Sequence, residues 1–341
     1  GIPGVSALVR DENGTWRGVA GTGDIRAGTR PDPAGEFRVG SITKTFTATM
    51  ILQLVAEHRL DLEAPIGRYL PDLLPYQQSI TIHQLLQHRS GLVDYANIQP
   101  SVLWPTPRDL DTRRFRSYSP RQLVGIATAH PLLFTPGTRF SYSNTNYIVL
   151  GMLIEKITHQ SYPVELLQRI LLPAGLHHTF YAATPYLPDP AERGYESLQG
   201  PAGPLTDLTA YDMSWADSAG AIISTSADLN RFYRELLTGR LLPAAQLAQM
   251  KSTVPTSPLD SYGLGLIGAE ACGSTVWGHD GSVPGYRTFS FSTADGSRQI
   301  TVSVNRSLTA STQASAAINT LLATEFCGSA PAAKAGPQLA H

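Results

Sequence analysis

The chain has 341 residues, of which 42% are apolar and 16% charged, and its formal net charge is -1. That length suits one large mixed domain or two lobes. The near-neutral balance supplies no field that would gather nucleic acid or an acidic membrane. No apolar run approaches the ~18 residues that cross a bilayer; the densest, Ile148 to Ile154, has polar flanks.

The first 40 residues read as strands. "GVSALVR" and "TWRGVAG" flank the turn sequence "DENG", a hairpin signal. The start, "GIPGVSALVR", carries no basic segment followed by a long apolar one, so a leader is either removed or not included. From Thr45 to His58 the residues Phe46, Met50, Ile51, Leu54 and Val55 fall at helical spacing, which predicts a helix with one apolar face. Between Asp61 and Leu208 helical pieces alternate with polar and Pro-rich loops. "SITIHQLLQHRSG" reads as a short helix ended by Gly91. Ser119-Pro120 starts another, and "NTNYIVLGMLIEKITHQ" is a strong amphipathic helix. "DPAERGYESLQGPAGPLTDLT" reads as a loop or poor strands.

The end returns to strands in "YGLGLIG", "STVWGHDG" and "YRTFSFSTADGSRQITVSVN", with "TADGSR" as a hairpin turn. A helix over about Thr309 to Phe326 follows, and the low-complexity tail should fray. Strands at both ends with helices between predict an α/β (α+β) fold: one antiparallel sheet built from both termini, with helices on it and a helical insertion. The expected division is 1–60 with 210–328 as the sheet domain, 61–209 as the mainly helical domain, and 329–341 as a tail. A site would lie between them.

Two cysteines, Cys272 and Cys327, would close a loop of about 55 residues if bridged. Two buried thiols fit the spacing equally well. No C-x-x-C pattern occurs, so no metal and no cofactor is expected.

Chemistry enters at "VGSITKT", Val39 to Thr45. Ser41 and Lys44 stand three apart, so a helix starting at Ser41 would put both on one face. Serine needs a base to become a nucleophile. Lysine can be that base only if burial lowers its pKa. The plainer alternative is a serine helix cap followed by a solvated lysine. Of four lysines, only Lys44 has a serine three residues before it. Enzymes with S-x-x-K carry two further elements. The second is Tyr or Ser, any residue, then Asn. "YSN" (Tyr142, Ser143, Asn144) and "YAN" (Tyr95, Ala96, Asn97) both fit. Tyr142 precedes the long amphipathic helix and is the better placed. The third is a basic residue, any residue, then Gly. "HDG", His279 to Gly281, is the only H-x-G among nine histidines. Taken singly, Tyr142 could be a half-buried loop aromatic and His279 a turn residue. Their order and setting together favour chemistry.

The segments "FRVGSITKTFTATMILQLVAEHRLDLEAPIGRYLP", "HRSGLVDY", "YSNTNYIVLGMLIEKIT", "SWADSAGAIISTSADL" and "GHDGSVPGY" resemble the penicillin-recognising serine hydrolases related to class C β-lactamases. Within that group the chain is most similar to secreted serine D-alanyl-D-alanine carboxypeptidases and to D-stereospecific amidohydrolases. The resemblance runs over nearly the whole chain. It implies an α/β sandwich with a helical domain and no metal. It implies Ser41 as nucleophile, Lys44 and Tyr142 as the proton-transfer pair, and Asn144 as a partner of Lys44 or of a substrate amide. His279 would supply the third motif's polar or cationic group, with Asp280, Gly281 and Ser282 along the substrate. The N–H groups of Ser41 and Ser282 would form the oxyanion hole. The resemblance also implies a Cys272–Cys327 bridge and an exported protein, expected to be a monomer.

Two departures bear on substrate. The carboxypeptidases resemble one another in having Thr inside H-x-G and an Arg after a "YGLGL"-like segment. Here Asp280 stands at the first place, and Ile267, Gly268 and Ala269 at the second. A substrate carboxylate would lose a charge-assisted partner and meet a like charge if Asp280 points inward. The expectation is a serine amidohydrolase or esterase for D-aminoacyl amides, esters or short peptides, able to pass the acyl group to amines. A cell-wall D-Ala-D-Ala carboxypeptidase is the close alternative, and an inactive penicillin-binding sensor the distant one. A third departure is the start at the first strand, where relatives have a helix packed on the sheet.

Overall fold

The computed structural model describes residues 1–328, apart from 77–78, 100, 104–105, 189–190, 201 and 308–311. The tail expected at 329–341 therefore lies outside the described residues. Among the described residues thirteen strands follow in chain order: β1 (Gly4–Asp11), β2 (Gly14–Gly21), β3 (Phe37–Arg38), β4 (Phe180–Tyr181), β5 (Tyr195–Glu196), β6 (Thr206–Asp207), β7 (Ile222–Ser224), β8 (Val254–Pro255), β9 (Asp260–Tyr262), β10 (Ile267–Ala271), β11 (Ser274–Val283), β12 (Tyr286–Ser292) and β13 (Gln299–Val304).

Eight of them form one sheet in the order β2-β1-β13-β12-β11-β10-β9-β8. All its neighbours pair antiparallel. The β1–β2 hairpin turns where the sequence asks it to: Asp11 pairs with Gly14, and the Asp11 carboxylate accepts the Asn13 N–H at 2.8 Å, an Asx turn. Pairing of β1 with β13, Val5 opposite Val304, joins the two ends of the chain. The expected sheet from both termini is therefore present, flanked by helices.

Alternation gives the sheet two faces. On one, Ala7, Phe289, Phe291, Ile300, Val302 and Val304 are buried with Ile318 and Leu322 of the Thr312–Cys327 helix. Against the other lies the Ser226–Leu237 helix, whose Asn230 accepts Thr301 Oγ1 at 2.7 Å. Polar residues can line this second face because they find partners across the layer.

The Thr43–Ala56 helix is the centre of the fold. It was expected to carry one apolar face, yet it is buried on nearly every side. Thr45 and Thr47, off the expected stripe, are buried because each has a carbonyl to bond: Thr45 Oγ1 donates to Gly265 O at 2.8 Å and Thr47 Oγ1 to Ser218 O at 2.7 Å. The helix also starts later than the chemistry suggested. A 3-10 turn, Gly40–Ile42, precedes it, and Ser41 lies in that turn.

Other elements differ from the sequence reading. The helix before Gly91 spans only Ile82–Leu86, and His88 takes the left-handed position with φ 55°. "YGLGLIG" supplies the end of β9 (Tyr262) and the start of β10 (Ile267, Gly268), but residues 263–266 between them form a turn, with Gly265 at φ 72°. The stretch 189–209 is loop and poor strand as read: its described residues carry the two-residue pair β5–β6. The Asn144–Thr158 helix is present as expected, but residues 145–151 are buried without a break, so its first two turns are enclosed on every side where an amphipathic helix was expected. It packs on the Thr43–Ala56 helix and on the Asp217–Gly220 turn of helix.

Cys272 and Cys327 are bridged, with Cα atoms 5.6 Å apart. The bridge pins the end of the last helix to the β10–β11 turn. Closing a loop of this size stabilises a fold by about 4 kcal/mol. Cys272→Ser with Cys327→Ser should therefore lower the unfolding free energy by roughly 2–5 kcal/mol in denaturant titration. An unchanged midpoint would show that the helix docks without it.

Candidate active site

The site forms where the Gly40–Ile42 turn, the start of the Asn144–Thr158 helix, the Asp217–Gly220 turn and β11 meet. Gly40 has φ 57°, a conformation that L side chains avoid. A Cβ there would lie 2.7 Å from Ser282 N. A Cβ on Gly281 would lie 1.9 Å from Val39 O and 2.8 Å from Ser41 N. The two glycines let the Ser41 turn press against β11, which brings the Ser41 and Ser282 amides to one place.

Lys44 is wholly buried. Its Nζ donates to Ser41 Oγ at 3.0 Å, to Asn144 Oδ1 at 2.8 Å and to Ala219 O at 2.9 Å. Three partners match the three protons of an ammonium. The rings of Tyr142 and Tyr147 lie 4.8 and 5.6 Å from Nζ. Burial lowers the Lys44 pKa from 10.5 to about 7, with the charges of Asp94 and Asp280 opposing the fall. A helix cap followed by a solvated lysine is therefore excluded: the position capping the α-helix is Ile42, and Lys44 sees no water.

Tyr142 hydrogen-bonds Ser41, and burial together with the charges of Asp280 and Asp94 holds its pKa well above 10. It therefore stays a neutral phenol, able to give a proton. The competing Tyr95 is fully buried, with its hydroxyl spent on Trp215 O at 2.5 Å. Of the two Y-x-N sequences, only the one at Tyr142 and Asn144 reaches Lys44.

His279 is fully buried, its Nε2 3.0 Å from Tyr262 Oη, and it alternates onto the side of β11 that Gly281 presents to Ser41. Asp280 and Ser282 fall on the other side. Asp280 is buried, with its Oδ2 3.7 Å from Arg287 Nη2. Its charge is still felt at Lys44 and Tyr142. Ser282 is exposed. Ile267, Gly268 and Ala269 lie in β10 beside β11 and carry no charge.

Sequence reasoning missed several neighbours. Asn144 Nδ2 donates to both oxygens of Asp94, at 3.3 and 3.0 Å. The His88 ring stacks on Tyr142 with centroids 4.2 Å apart, and its Nδ1 accepts the Ser143 N–H at 3.1 Å. Both come from "HRSGLVDY", whose residue order gives no sign of these contacts. Ala219 acts through its carbonyl, which no motif can flag. Among the described residues no group of three or more His, Cys, Asp or Glu is gathered as for a metal. No described helix is long and apolar enough to cross a membrane.

Several known proteins share this arrangement of chain. A D-stereospecific amidohydrolase from Streptomyces sp. superposes with TM-score 0.88 at 38% identity, over 97% of this chain and 95% of its own. The D-amino acid amidase of Ochrobactrum anthropi SV3 gives TM-score 0.78 at 28% identity, over 90% and 88%. Protein flp of Staphylococcus aureus (strain COL) is 29% identical over 68% of this chain and 45% of its own length. The chain thus spans about half of that relative. The putative penicillin-binding protein PbpX of Bacillus subtilis (strain 168) is 29% identical over 84% of this chain and 66% of its own. A family model described as Beta-lactamase matches residues 1–325, and over that span the chain belongs to the beta-lactamase family.

Proposed function

We propose that the chain is a serine hydrolase that works through an acyl-enzyme on D-aminoacyl amides, esters or short peptides. The observation that carries this is the Ser41 hydroxyl, held at 3.0 Å by a lysine whose pKa burial brings to about 7. Near neutral pH about half of such a lysine is unprotonated, the best compromise for a general base.

In acylation, neutral Lys44 takes the Ser41 proton and Oγ bonds to the substrate carbonyl carbon. The carbonyl oxygen becomes an oxyanion between the Ser41 and Ser282 N–H groups. The bond to the leaving amine or alcohol breaks, and Tyr142 gives that group a proton. Lys44 then hands the proton it took to Tyr142, which resets both groups while the Ser41 oxygen stays in the acyl ester. Deacylation repeats the sequence with water, or an amine, as the attacking group. Asn144 holds Lys44 during both halves. His279, tied to Tyr262, shapes the wall next to Gly281.

Substrate class rests on charge. The positions where a carboxylate-binding cation was sought, 267–269, are neutral. Asp280 places a negative charge by the site and occupies Arg287. Both disfavour a leaving group that ends in a carboxylate. Two solved relatives are a D-stereospecific amidohydrolase and a D-amino acid amidase, which supports the same choice. We further propose export as a monomer, since a bridge such as Cys272–Cys327 persists in oxidising compartments.

Purified protein should hydrolyse D-aminoacyl esters or amides in preference to L-forms and to a D-Ala-D-Ala peptide. Ser41→Ala should lose at least about 10³-fold in kcat. A preference for the free-carboxylate peptide would favour the carboxypeptidase reading instead. Turnover that survives Ser41→Ala would remove the acyl-enzyme reading altogether.

The pH dependence has a definite sign. Lys44 must be neutral to accept the Ser41 proton, so kcat/KM should fall as pH drops through about 7. Tyr142 must be protonated, and its raised pKa leaves no alkaline limb below pH 10. A profile of kcat/KM from pH 5 to 10 that shows no acid limb would remove Lys44 as the base.

A further inference from the structure

The strongest feature that the mechanism leaves unused is a buried carboxylate behind its amide. Asp94 is 8% exposed and ends the segment "HRSGLVD" just before the Tyr95–Asn97 turn of 3-10 helix. Its Oδ1 accepts the Ala96 N–H at 3.1 Å and so caps that turn. Both carboxylate oxygens also accept Asn144 Nδ2. An amide has one donor end and one acceptor end. Because Asp94 takes the donor end, Asn144 must offer Oδ1 to Lys44, and it does so at 2.8 Å.

We propose that Asp94 is a positioning residue: through Asn144 it fixes Lys44 on Ser41 and sets how basic Lys44 is. The proposal rests on the reading of Lys44 as general base.

The reasoning is geometric first. If the Asn144 amide turned over, Nδ2 would face the Lys44 ammonium, donor against donor. Lys44 would then lose one of its three acceptors at a site that bulk solvent does not reach, since Lys44 is fully buried. The carboxylate prevents this, since turning the amide would set its oxygen against a buried negative charge.

Electrostatics then acts in the same place. The groups around Lys44 Nζ are Ser41 on its own segment, Asp94 behind Asn144, Tyr142 before the Asn144–Thr158 helix, Tyr147 within it, the Ala219 carbonyl, and Asp280 of β11. Only Asp94 and Asp280 are negative. Burial pulls the Lys44 pKa down, and Asp94 is the larger of the two charges holding it up. Without Asp94, Lys44 would titrate lower and be a weaker base, and Brønsted behaviour would lower the acylation rate.

Two variants separate this role from capping. Asn is as good an N-cap as Asp, and Ser nearly so. Asp94→Asn and Asp94→Ser should therefore both keep the Tyr95–Asn97 turn. Asp94→Asn removes the charge and puts a second donor opposite Asn144 Nδ2. Asp94→Ser removes the carboxylate and leaves Asn144 unopposed. With only four lysines in the chain, Lys44 can be followed directly in protein carrying 13C,15N-lysine.

The expected result in both variants is a Lys44 titration midpoint lower by about one pH unit. The acid limb of kcat/KM should move with it, and Ser41 should react with a fluorophosphonate roughly ten- to a hundredfold more slowly at the plateau. A Lys44 midpoint unchanged in folded Asp94→Asn and Asp94→Ser would overturn the proposal. So would loss of the fold in both, which would make Asp94 a structural cap. Failure of the underlying reading looks different: wild-type protein would not label at Ser41, whatever the Lys44 midpoint does.

Discussion

A fully buried lysine ammonium is the constraint on which this structure turns. Three acceptors must reach one nitrogen, and they come from three separate parts of the chain. Ser41 lies one turn away, Asn144 heads another helix, and Ala219 offers only its backbone. Each position explains a larger feature. The Asn144–Thr158 helix must start where it does, and the Asp217–Gly220 turn must aim its carbonyl inward. The Thr43–Ala56 helix must be enclosed all round, which is why its off-stripe threonines bond carbonyls of neighbouring elements.

The sheet contributes through one strand edge. Gly281 and Gly40 let β11 and the Ser41 turn approach until a single methyl group would not fit. The rest of the sheet makes that approach rigid. Pairing of β1 with β13 closes the chain ends together, and the Cys272–Cys327 bridge fastens the last helix beside β10 and β11. Rigidity at this edge matters because an oxyanion hole stabilises charge only if its donors need not move as the charge develops.

A single environment divides the proton work between two groups. Burial acts on both Lys44 and Tyr142, and it disfavours the charged form of each. For lysine the charged form is the acid, so its pKa falls to about 7. For tyrosine the charged form is the base, so its pKa rises well above 10. The same dry pocket thereby makes one an acceptor and the other a donor of protons near neutral pH. Asp94 and Asp280 moderate the first effect and reinforce the second.

The sequence by itself determined what is local. Three-residue spacing places Lys44 near Ser41 in any helical turn, and alternation with turn signals locates β1, β2, β11, β12 and β13. It could not say that Lys44 is buried, because its walls arrive from 100 and 175 residues away. The apolar stripe on the Thr43–Ala56 helix hid the burial of its threonines for the same reason. Tyr95 and Tyr142 were equal candidates by motif, and only tertiary contacts spent one hydroxyl on Trp215. Asp94 gave no signal, since a carboxylate before a turn reads as an ordinary cap until Asn144 is folded against it. Short-range geometry is written in residue order. Desolvation and long-range hydrogen bonds, which decide basicity here, exist only once distant segments have packed.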